Sequence, residues 1–126
     1  MEIRQGIDIV SVSRMKQIIE RSGKPFRDRV FTRQEQNYCE TKRTKFEHYA
    51  ARFAAKEAAM KAFEVRDGNQ YMFREIEIRR AATGKPFIHL TPASAKRFKL
   101  PRKYQLELSM SHEREYAIAT VLLIKL

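Results

Sequence analysis

The spacing of apolar residues predicts a strand and then a helix at the start of the chain. The opening "EIRQGIDIVSV" has the composition of a strand, and Ser11 or Ser13 then stands where a helix cap is expected. The helix that follows carries apolar residues at helical spacing and cations on its other face. Gly23-Lys24-Pro25 is expected to end this helix, because glycine and proline interrupt helical structure.

Two further helices are predicted before the middle of the chain. In "FTRQEQNYCE" Thr32 can cap a short helix while Glu35 reaches back to its amide, which is a capping box. After the polar turn "TKRTK", a longer helix is predicted from about Phe46 to Phe63. Its alanines form two rows, at 50, 54, 58 and 62 and at 51, 55 and 59. Such rows allow another backbone to approach closely.

The second half of the chain changes to a period of two. "FREIEIRR" predicts a half-buried strand, "ATGKPFIHL" a turn followed by a strand, and "TPASAKRF" a short helix with Pro92 in its first turn. "YQLELSMSH" alternates strictly, while "YAIATVLLIKL" is apolar on both faces and predicts a strand covered on both sides. The tight turn "HERE" joins these two strands. We therefore expect an α+β fold in one domain, with a mostly antiparallel sheet packed on one long helix and several short helices.

Charge is the feature of the composition that bears on function. The chain has 126 residues and a formal net charge of +11, which indicates an acidic partner such as nucleic acid, anionic lipid, a polyphosphate ligand or an acidic protein. No apolar run is long enough for a membrane span, and the N-terminus lacks a signal-peptide core. With Cys39 as the one cysteine, no internal disulfide can form. These features predict a cytoplasmic protein.

Two carboxylates stand in unusual surroundings. Asp8 lies inside the apolar "GIDIV", and Glu57 lies among the alanines and cations of "RFAAKEAAMKA". A lysine partner for Asp8, or a capping role, would explain its position simply. Alternatively, two acids from separate elements suit Mg²⁺, which prefers oxygen ligands and keeps sites for water and substrate phosphates. Both interpretations stay open on spacing alone.

Other candidate residues also have structural explanations. Glu57 and Lys61 are four residues apart, so they form either a helical salt bridge or a metal ligand beside a phosphate-binding ammonium. His112, in "SMSHEREYA", is a single histidine, and most such residues are structural. The basic segment from Arg14 to Arg29 is either a solvated face or a docking surface for an acidic helix.

Taken together and in order, five segments resemble holo-acyl-carrier-protein synthase, the small bacterial type of 4'-phosphopantetheinyl transferase. They are "GIDIV", "FTRQE", "RFAAKEAAMKAF", "GKP" and "SMSHEREYA". The resemblance implies transfer of 4'-phosphopantetheine from coenzyme A to a serine of an apo acyl carrier protein. It also implies a requirement for Mg²⁺, release of adenosine 3',5'-bisphosphate, and a homotrimer with active sites at subunit interfaces. The carrier can belong to fatty acid, polyketide or peptide synthesis.

The same resemblance implies roles for individual residues. Asp8 and Glu57 match the metal ligands of the family. Together with Lys61, they match its catalytic residues. Coenzyme-binding positions are matched by Lys61, Lys42, Arg43, Gly84, Lys85, Pro86 and His112. Carrier-binding positions on the basic segment are matched by Arg14, Arg21, Lys24, Phe26 and Arg27.

Two positions depart from the family pattern. Glu64, Val65 and Arg66 replace a glycine-rich turn, which predicts the loss of a conformation that glycine permits. Glu113 follows the histidine where threonine is common, and an acid there would repel phosphate unless it points away. The rival functions are a basic nucleic-acid-binding domain without catalysis, and a family member that binds coenzyme A or carrier without transfer. The basic runs lack the interleaved aromatics of single-strand binders, which disfavours the first rival.

Overall fold

The computed structural model describes residues 1–66 and 70–126. The elements follow the order β1 (Glu2–Ser11), α1 (Val12–Val30), α2 (Arg33–Glu40), α3 (Lys45–Ala62), a 3-10 helix (Gln70–Glu75), β2 (Glu77–Arg80), β3 (Pro86–His89), α4 (Pro92–Arg97), β4 (Tyr104–His112) and β5 (Tyr116–Lys125). The strands form an antiparallel sheet in the order β1-β5-β4 and a separate antiparallel pair, β2-β3. The predicted α+β fold, with antiparallel strands packed on one long helix, is confirmed.

The contact between β1 and α3 is unusually close. A β-carbon at Gly6 would lie 2.0 Å from the carbonyl oxygen of Ala58 and 2.9 Å from the amide nitrogen of Ala62. Both alanines belong to one of the predicted rows, and the alanines of both rows are buried. The small side chains therefore bring the helix axis down onto the strand. This close approach fixes where Asp8, two residues after Gly6, lies relative to α3.

Helix α1 begins as expected and consists of two helical segments that meet at a kink at Gly23. The Ser11 hydroxyl accepts a hydrogen bond from the amide of Arg14, so Ser11 rather than Ser13 is the cap. Gly23 has φ 63° and interrupts the helical geometry, yet the helix resumes and continues to Val30. Pro25 lies in the first turn of the resumed segment, where its missing N–H is not required. The expected interruption at this segment is therefore confirmed, whereas the second helical segment to Val30 was not expected.

A buried ion pair joins α2 to α3 and to the segment that follows α3. The predicted capping box is present, with Thr32 and Glu35 exchanging hydrogen bonds. The second carboxylate oxygen of Glu35 accepts from the amide of Ile78, while Lys56 Nζ lies 2.9 Å from Glu35 Oε1. Both side chains of the pair are fully buried. A buried pair is tolerated when additional hydrogen bonds satisfy its polar atoms, as they do here.

The same lysine explains why the predicted strand in "FREIEIRR" is shorter than expected. Lys56 Nζ donates to the carbonyl oxygens of Phe73 and Ile76, each at 2.7 Å. Those carbonyls are turned toward a buried cation and cannot join a strand ladder. The chain accordingly forms a 3-10 helix over Gln70–Glu75, and strand β2 begins at Glu77.

Helix α3 ends in a left-handed residue although glycine is absent there. Glu64 has φ 59°, and the amides of Glu64 and Val65 donate to the carbonyls of Lys61 and Met60. This is the Schellman arrangement, in which glycine usually occupies the left-handed position. The expected loss of that conformation is wrong, because Glu64 adopts it at a steric cost. The remainder of the predicted loop, Asp67–Asn69, lies outside the described residues.

The two faces of the large sheet differ in burial. Alternate residues of β5 from Ala117 to Leu123 pack against α3 and are buried. The opposite face exposes apolar side chains, among them Ile3, Ile7, Ile9, Tyr116 and Ile118. The prediction that β5 is covered on both sides is therefore wrong for the single chain. In residues 1–66 and 70–126 there is no helix long and apolar enough to cross a membrane.

Candidate active site

Asp8, Glu57 and Lys61 line one cavity between β1, α1 and α3. The cavity has a volume of about 460 Å³, and Arg14 and Phe53 also face it. Asp8 reaches it from the middle of β1, whereas Glu57 and Lys61 lie one turn apart on α3. Side chains about fifty positions apart in the sequence therefore meet because β1 packs directly on α3. We call this the carboxylate cavity.

Lys61 contacts β1 rather than its helical neighbour. Its Nζ donates to the carbonyl oxygen of Ile7 at 2.9 Å and to Asp8 Oδ1 at 3.3 Å. The helical salt bridge with Glu57, one of the two interpretations of this pair, is not among the ion pairs of the described residues, and Asp8 has Lys61 as a lysine partner. The Lys61 side chain is 55% exposed, so the third ammonium hydrogen is available to a ligand.

The environment of Glu57 disfavours its negative charge. Burial raises the pKa of Glu57, the nearby charge of Asp8 raises it further, and Lys61 acts in the opposite direction. Two carboxylates that repel each other across a cavity are stabilised when a cation lies between them. No group of three or more acidic, histidine or cysteine side chains in the described ranges is arranged to hold a metal. Two carboxylates suffice for Mg²⁺, which fills its remaining positions with water and phosphate oxygens, so these residues fit that ion.

A second cavity lies between α3, the β2-β3 pair and the end of β4. It has a volume of about 260 Å³ and is lined by His48, Ala51, Arg52, Arg80, Pro86, Met110, Ser111 and His112. Arg52 is 2% exposed, and its guanidinium lies 4.0 Å from the ring centroid of Tyr38. Its Nε is a buried donor that has no hydrogen-bond partner within the described residues. We call this the arginine cavity.

Sequence reasoning identified His112 and Pro86 at this cavity but missed Arg52, Arg80 and His48. Arg52 opens the segment "RFAAKEAAMKAF", and a cation in an alanine-rich helix that packs on a sheet is a signal for a buried charge. Arg80 and His48 carry no comparable signal, because each stands among other polar residues.

The orientation of His112 is fixed by a neighbouring carboxylate. His112 Nδ1 lies 2.9 Å from Glu47 Oε1, so Nδ1 donates to the carboxylate and Nε2 is left for a ligand. Glu113, the next residue, directs its carboxylate into the hairpin, where it accepts from the amides of Glu115 and Tyr116. The acidic substitution therefore stabilises the turn and is engaged away from the cavity.

The two cavities lie on opposite faces of α3. His48, Ala51 and Arg52 line the arginine cavity, whereas Phe53, Glu57 and Lys61 line the carboxylate cavity. With about 100° of rotation per residue, the two sets are separated by roughly half a turn around the helix axis. The helix body therefore separates the two groups of predicted site residues within one chain.

The remaining predicted coenzyme-binding residues are dispersed. Lys42 and Arg43 line a separate shallow cavity beside the start of α3, together with Lys45 and Arg114. Gly84 and Lys85 lie in the turn between β2 and β3, outside the lining of the arginine cavity. Lys85 Nζ is 3.5 Å from a carboxylate oxygen of Glu107.

The predicted carrier-binding residues of α1 differ in exposure. Arg14 faces the carboxylate cavity, while Arg21 and Lys24 are exposed. Phe26 is half-buried and packs edge-on against Phe31, with 6.3 Å between ring centroids. Arg27 is also half-buried, and its carbonyl oxygen accepts a hydrogen bond at the end of α1. Arg14, Arg21 and Lys24 are thus accessible cations of α1, and Arg14 lies at the carboxylate cavity.

Cys39 is not part of either cavity. The side chain is fully buried, and this burial raises the pKa of its thiol to about 12. A thiol in that environment stays protonated and is unreactive at neutral pH. Cys39 is therefore a buried free thiol.

Paired carboxylates, an adjacent lysine and an arginine-lined cavity in a basic α+β chain are features of an enzyme that handles phosphate groups. The chain belongs to the 4'-phosphopantetheinyl transferase superfamily, whose family model matches residues 4–121. The holo-[acyl-carrier-protein] synthase of Ruminiclostridium cellulolyticum is 42% identical over 120 residues, which cover 94% of this chain and 90% of that protein. The family predicted from the sequence is therefore confirmed.

Solved structures of this family share the fold. The holo-[acyl-carrier-protein] synthase of Helicobacter pylori, in complex with coenzyme A, aligns with a TM-score of 0.81 at 32% identity, covering 94% of this chain and 98% of that chain. The Neisseria meningitidis enzyme aligns with a TM-score of 0.83 at 32% identity, covering 97% of this chain and 98% of that chain.

Proposed function

We propose that this protein transfers the 4'-phosphopantetheine arm of coenzyme A to a serine of an apo acyl carrier protein. It is an enzyme of the holo-[acyl-carrier-protein] synthase type, and adenosine 3',5'-bisphosphate is the second product. The observation that carries the proposal is the convergence of Asp8, Glu57 and Lys61 in one cavity of about 460 Å³. The family membership of the chain and the coenzyme-bound relative support the same reaction.

Asp8 and Glu57 are the residues that would hold Mg²⁺. When bound, the ion supplies positive charge to the pyrophosphate of coenzyme A and to the leaving group. Lys61 is held at the edge of the cavity by Ile7 and Asp8, and its remaining hydrogen can bind a phosphate oxygen. In this proposal, one ammonium and two carboxylates would surround the β-phosphate that the serine attacks.

The serine hydroxyl must lose a proton as it forms the new bond to phosphorus. The O–P bond to the leaving adenosine bisphosphate breaks in the same substitution. Glu57 is the carboxylate that we propose to accept the proton, because it lines the cavity beside Lys61. A water molecule can serve instead if Glu57 acts as a ligand alone.

The arrangement of the cavities favours an active site shared between copies of the chain. Coenzyme A carries a pyrophosphate on the 5' carbon of its ribose and a phosphomonoester on the 3' carbon of the same ribose. The pyrophosphate fits the carboxylate cavity and the phosphomonoester fits the arginine cavity, but α3 separates these within one chain. The exposed apolar face of the sheet offers a surface for association. We therefore propose a homotrimer in which one copy completes the site of the next.

The carrier protein would dock on the basic surface of α1. Arg21 and Lys24 are exposed there, and Arg14 lies at the entrance to the carboxylate cavity. Acyl carrier proteins are acidic, so this surface would orient the incoming serine toward Glu57 and Lys61. A cytoplasmic location stays a prediction from the sequence.

Mass spectrometry of the carrier tests the proposed reaction. The protein is incubated with coenzyme A, Mg²⁺ and apo carrier, and the intact mass of the carrier is measured. The expected result is the addition of one phosphopantetheine group to the carrier serine. An unmodified carrier, with coenzyme A bound to the protein, would instead support a binding protein without transfer activity.

A further inference from the structure

A pair of histidines lies at the arginine cavity, and one member has no role in the function proposed above. The rings of His48 and His112 meet edge to face with 4.8 Å between their centroids, and both line the cavity. His48 also lies edge-on to Tyr38 at 5.6 Å. It lies about one helical turn before Arg52 on the same face of α3. The geometry therefore places His48 in direct reach of any ligand that binds Arg52 and His112.

The lining of the cavity is suited to a phosphomonoester. Within the described residues it contains two guanidinium groups, two imidazoles and a hydroxyl, and no carboxylate. The buried Arg52 Nε lacks a hydrogen-bond acceptor, which a phosphate oxygen can supply. A volume of about 260 Å³ accommodates a phosphate and part of its sugar rather than an entire coenzyme. The nucleotide end of coenzyme A carries one such phosphomonoester.

The surroundings of His48 keep its ring neutral in the absence of a ligand. The charged and titratable groups that face it come from four parts of the fold: Tyr38 of α2, Lys42 before α3, Glu47 and Arg52 of α3, and His112 of β4. Burial is the largest cause that lowers the pKa of His48, to about 4, and the nearby cations lower it further while Glu47 raises it. A bound dianion would offset those cations and favour the protonated ring.

We propose that His48 binds the phosphomonoester of the coenzyme together with His112 and Arg52, and takes up a proton from solvent when this dianion binds. The proton forms an N–H group on His48 that donates to a phosphate oxygen. The inference rests on the proposed function, since it assigns the nucleotide end of the substrate to this cavity. It makes His48 a specificity-determining residue, because a coenzyme without the phosphomonoester would gain nothing from the protonated ring.

Calorimetry of coenzyme binding tests this proton uptake. Coenzyme A is titrated into the full-length wild type and into His48→Phe near pH 6, in buffers with different ionisation enthalpies. Phenylalanine keeps an aromatic ring against Tyr38 and His112 but cannot take up a proton. We expect the wild type to take up about half a proton more than the variant, so that its relative affinity rises about threefold for each unit of pH decrease. Subtracting the proton uptake of the variant from that of the wild type removes the contribution from protonation of the phosphate itself.

Two controls isolate the histidine and the phosphate. His89→Gln removes a histidine of β3 that lies outside the cavity lining, and it should retain the proton uptake of the wild type. With 3'-dephospho-coenzyme A, the wild type and His48→Phe should show equal proton uptake and equal affinity. Equal proton uptake by the wild type and His48→Phe when coenzyme A itself binds would overturn the inference and leave the proposed function intact.

Nuclear magnetic resonance of the wild type provides a second measurement that does not require a variant. The ring carbon shift of His48 near pH 6 should move toward the protonated value when coenzyme A is added. Coenzyme A that binds without moving this shift would contradict the role of His48. Failure of coenzyme A to bind the wild type at all would instead contradict the proposed function.

Discussion

The fold disfavours the negative charge of Glu57. A raised pKa means that the protonated form stabilises the folded state at low pH, and this contribution is lost as the pH rises through the folded-state pKa. At neutral pH the ionised carboxylate is therefore destabilised by burial and by the negative charge of Asp8. A cation between the two acids would relieve that destabilisation.

Replacement of Glu57 by glutamine tests this description. Glu57→Gln should fold at least as stably as the wild type, because the strained charge is removed, and should lose about 100-fold or more in turnover. Thermal unfolding with and without Mg²⁺ provides the independent readout: the ion should raise the melting temperature of the wild type but not that of the variant. Near-full activity of the variant at saturating Mg²⁺ would exclude Glu57 as a ligand.

Glu64 occupies a left-handed conformation that most residues with a β-carbon avoid. Glu64→Gly should stabilise the protein by about 1 kcal/mol, because glycine adopts φ 59° without the steric cost. Denaturant unfolding measures this difference. Glu64→Ala is the matched control: it removes the same exposed contact with Arg4 but keeps the β-carbon, so it should not stabilise. A glycine variant no more stable than the alanine variant would contradict the steric explanation.

Some residues of the site could be predicted from the sequence, whereas the contacts of others could not. Asp8 and Glu57 were identified because a carboxylate in an apolar strand and another in an alanine helix are conspicuous in the sequence. The partner of Lys61 was not, because the carbonyl of Ile7 and the carboxylate of Asp8 come from a distant strand. Side-chain partners across a helix–strand contact depend on packing that local spacing does not contain.

At the level of elements, the contact between β1 and α3 determines the site. Gly6→Ala would force the strand and the helix apart, since the added β-carbon meets the main chain of Ala58 and Ala62 rather than a movable side chain. We expect a loss of at least about 3 kcal/mol of stability. Chemical denaturation compared with Gln5→Ala, an exposed neighbour on the same strand, isolates the effect. Unchanged stability of the Gly6 variant would show that the strand can move away freely.

Elements with local signals were predicted well, and elements that depend on distant side chains were not. The capping box of Thr32 and Glu35 was correct because both partners lie within four residues. The strand expected from Phe73 was wrong because the buried Lys56 binds the carbonyls of that segment. The sequence of β5 did not show that one face of the strand is exposed in a single chain. Its apolar residues suit a strand that is buried on one face and also a strand that is buried on both.

At the scale of the whole molecule, the net charge of +11 should govern association with an acidic carrier. We expect kcat/KM for the intact carrier to fall about tenfold or more as ionic strength rises. The double variant Arg21→Gln and Lys24→Gln should flatten this dependence. Arg102→Gln with Lys103→Gln removes the same charge from the loop before β4 and should flatten it much less. An equal effect of the two double variants would contradict docking on α1.

The separation of the two cavities by α3 leads to the central claim, that transfer occurs at a site completed by a second copy of the chain. The most direct test uses two variants that are each inactive: Glu57→Gln in the carboxylate cavity and Arg52→Gln in the arginine cavity. They are refolded together, and conversion of apo carrier to its phosphopantetheinylated form is followed by intact mass. Random assembly should restore about a quarter of wild-type activity, because one interface in four combines both intact halves. If the mixture stays as inactive as each variant alone, the shared site is contradicted.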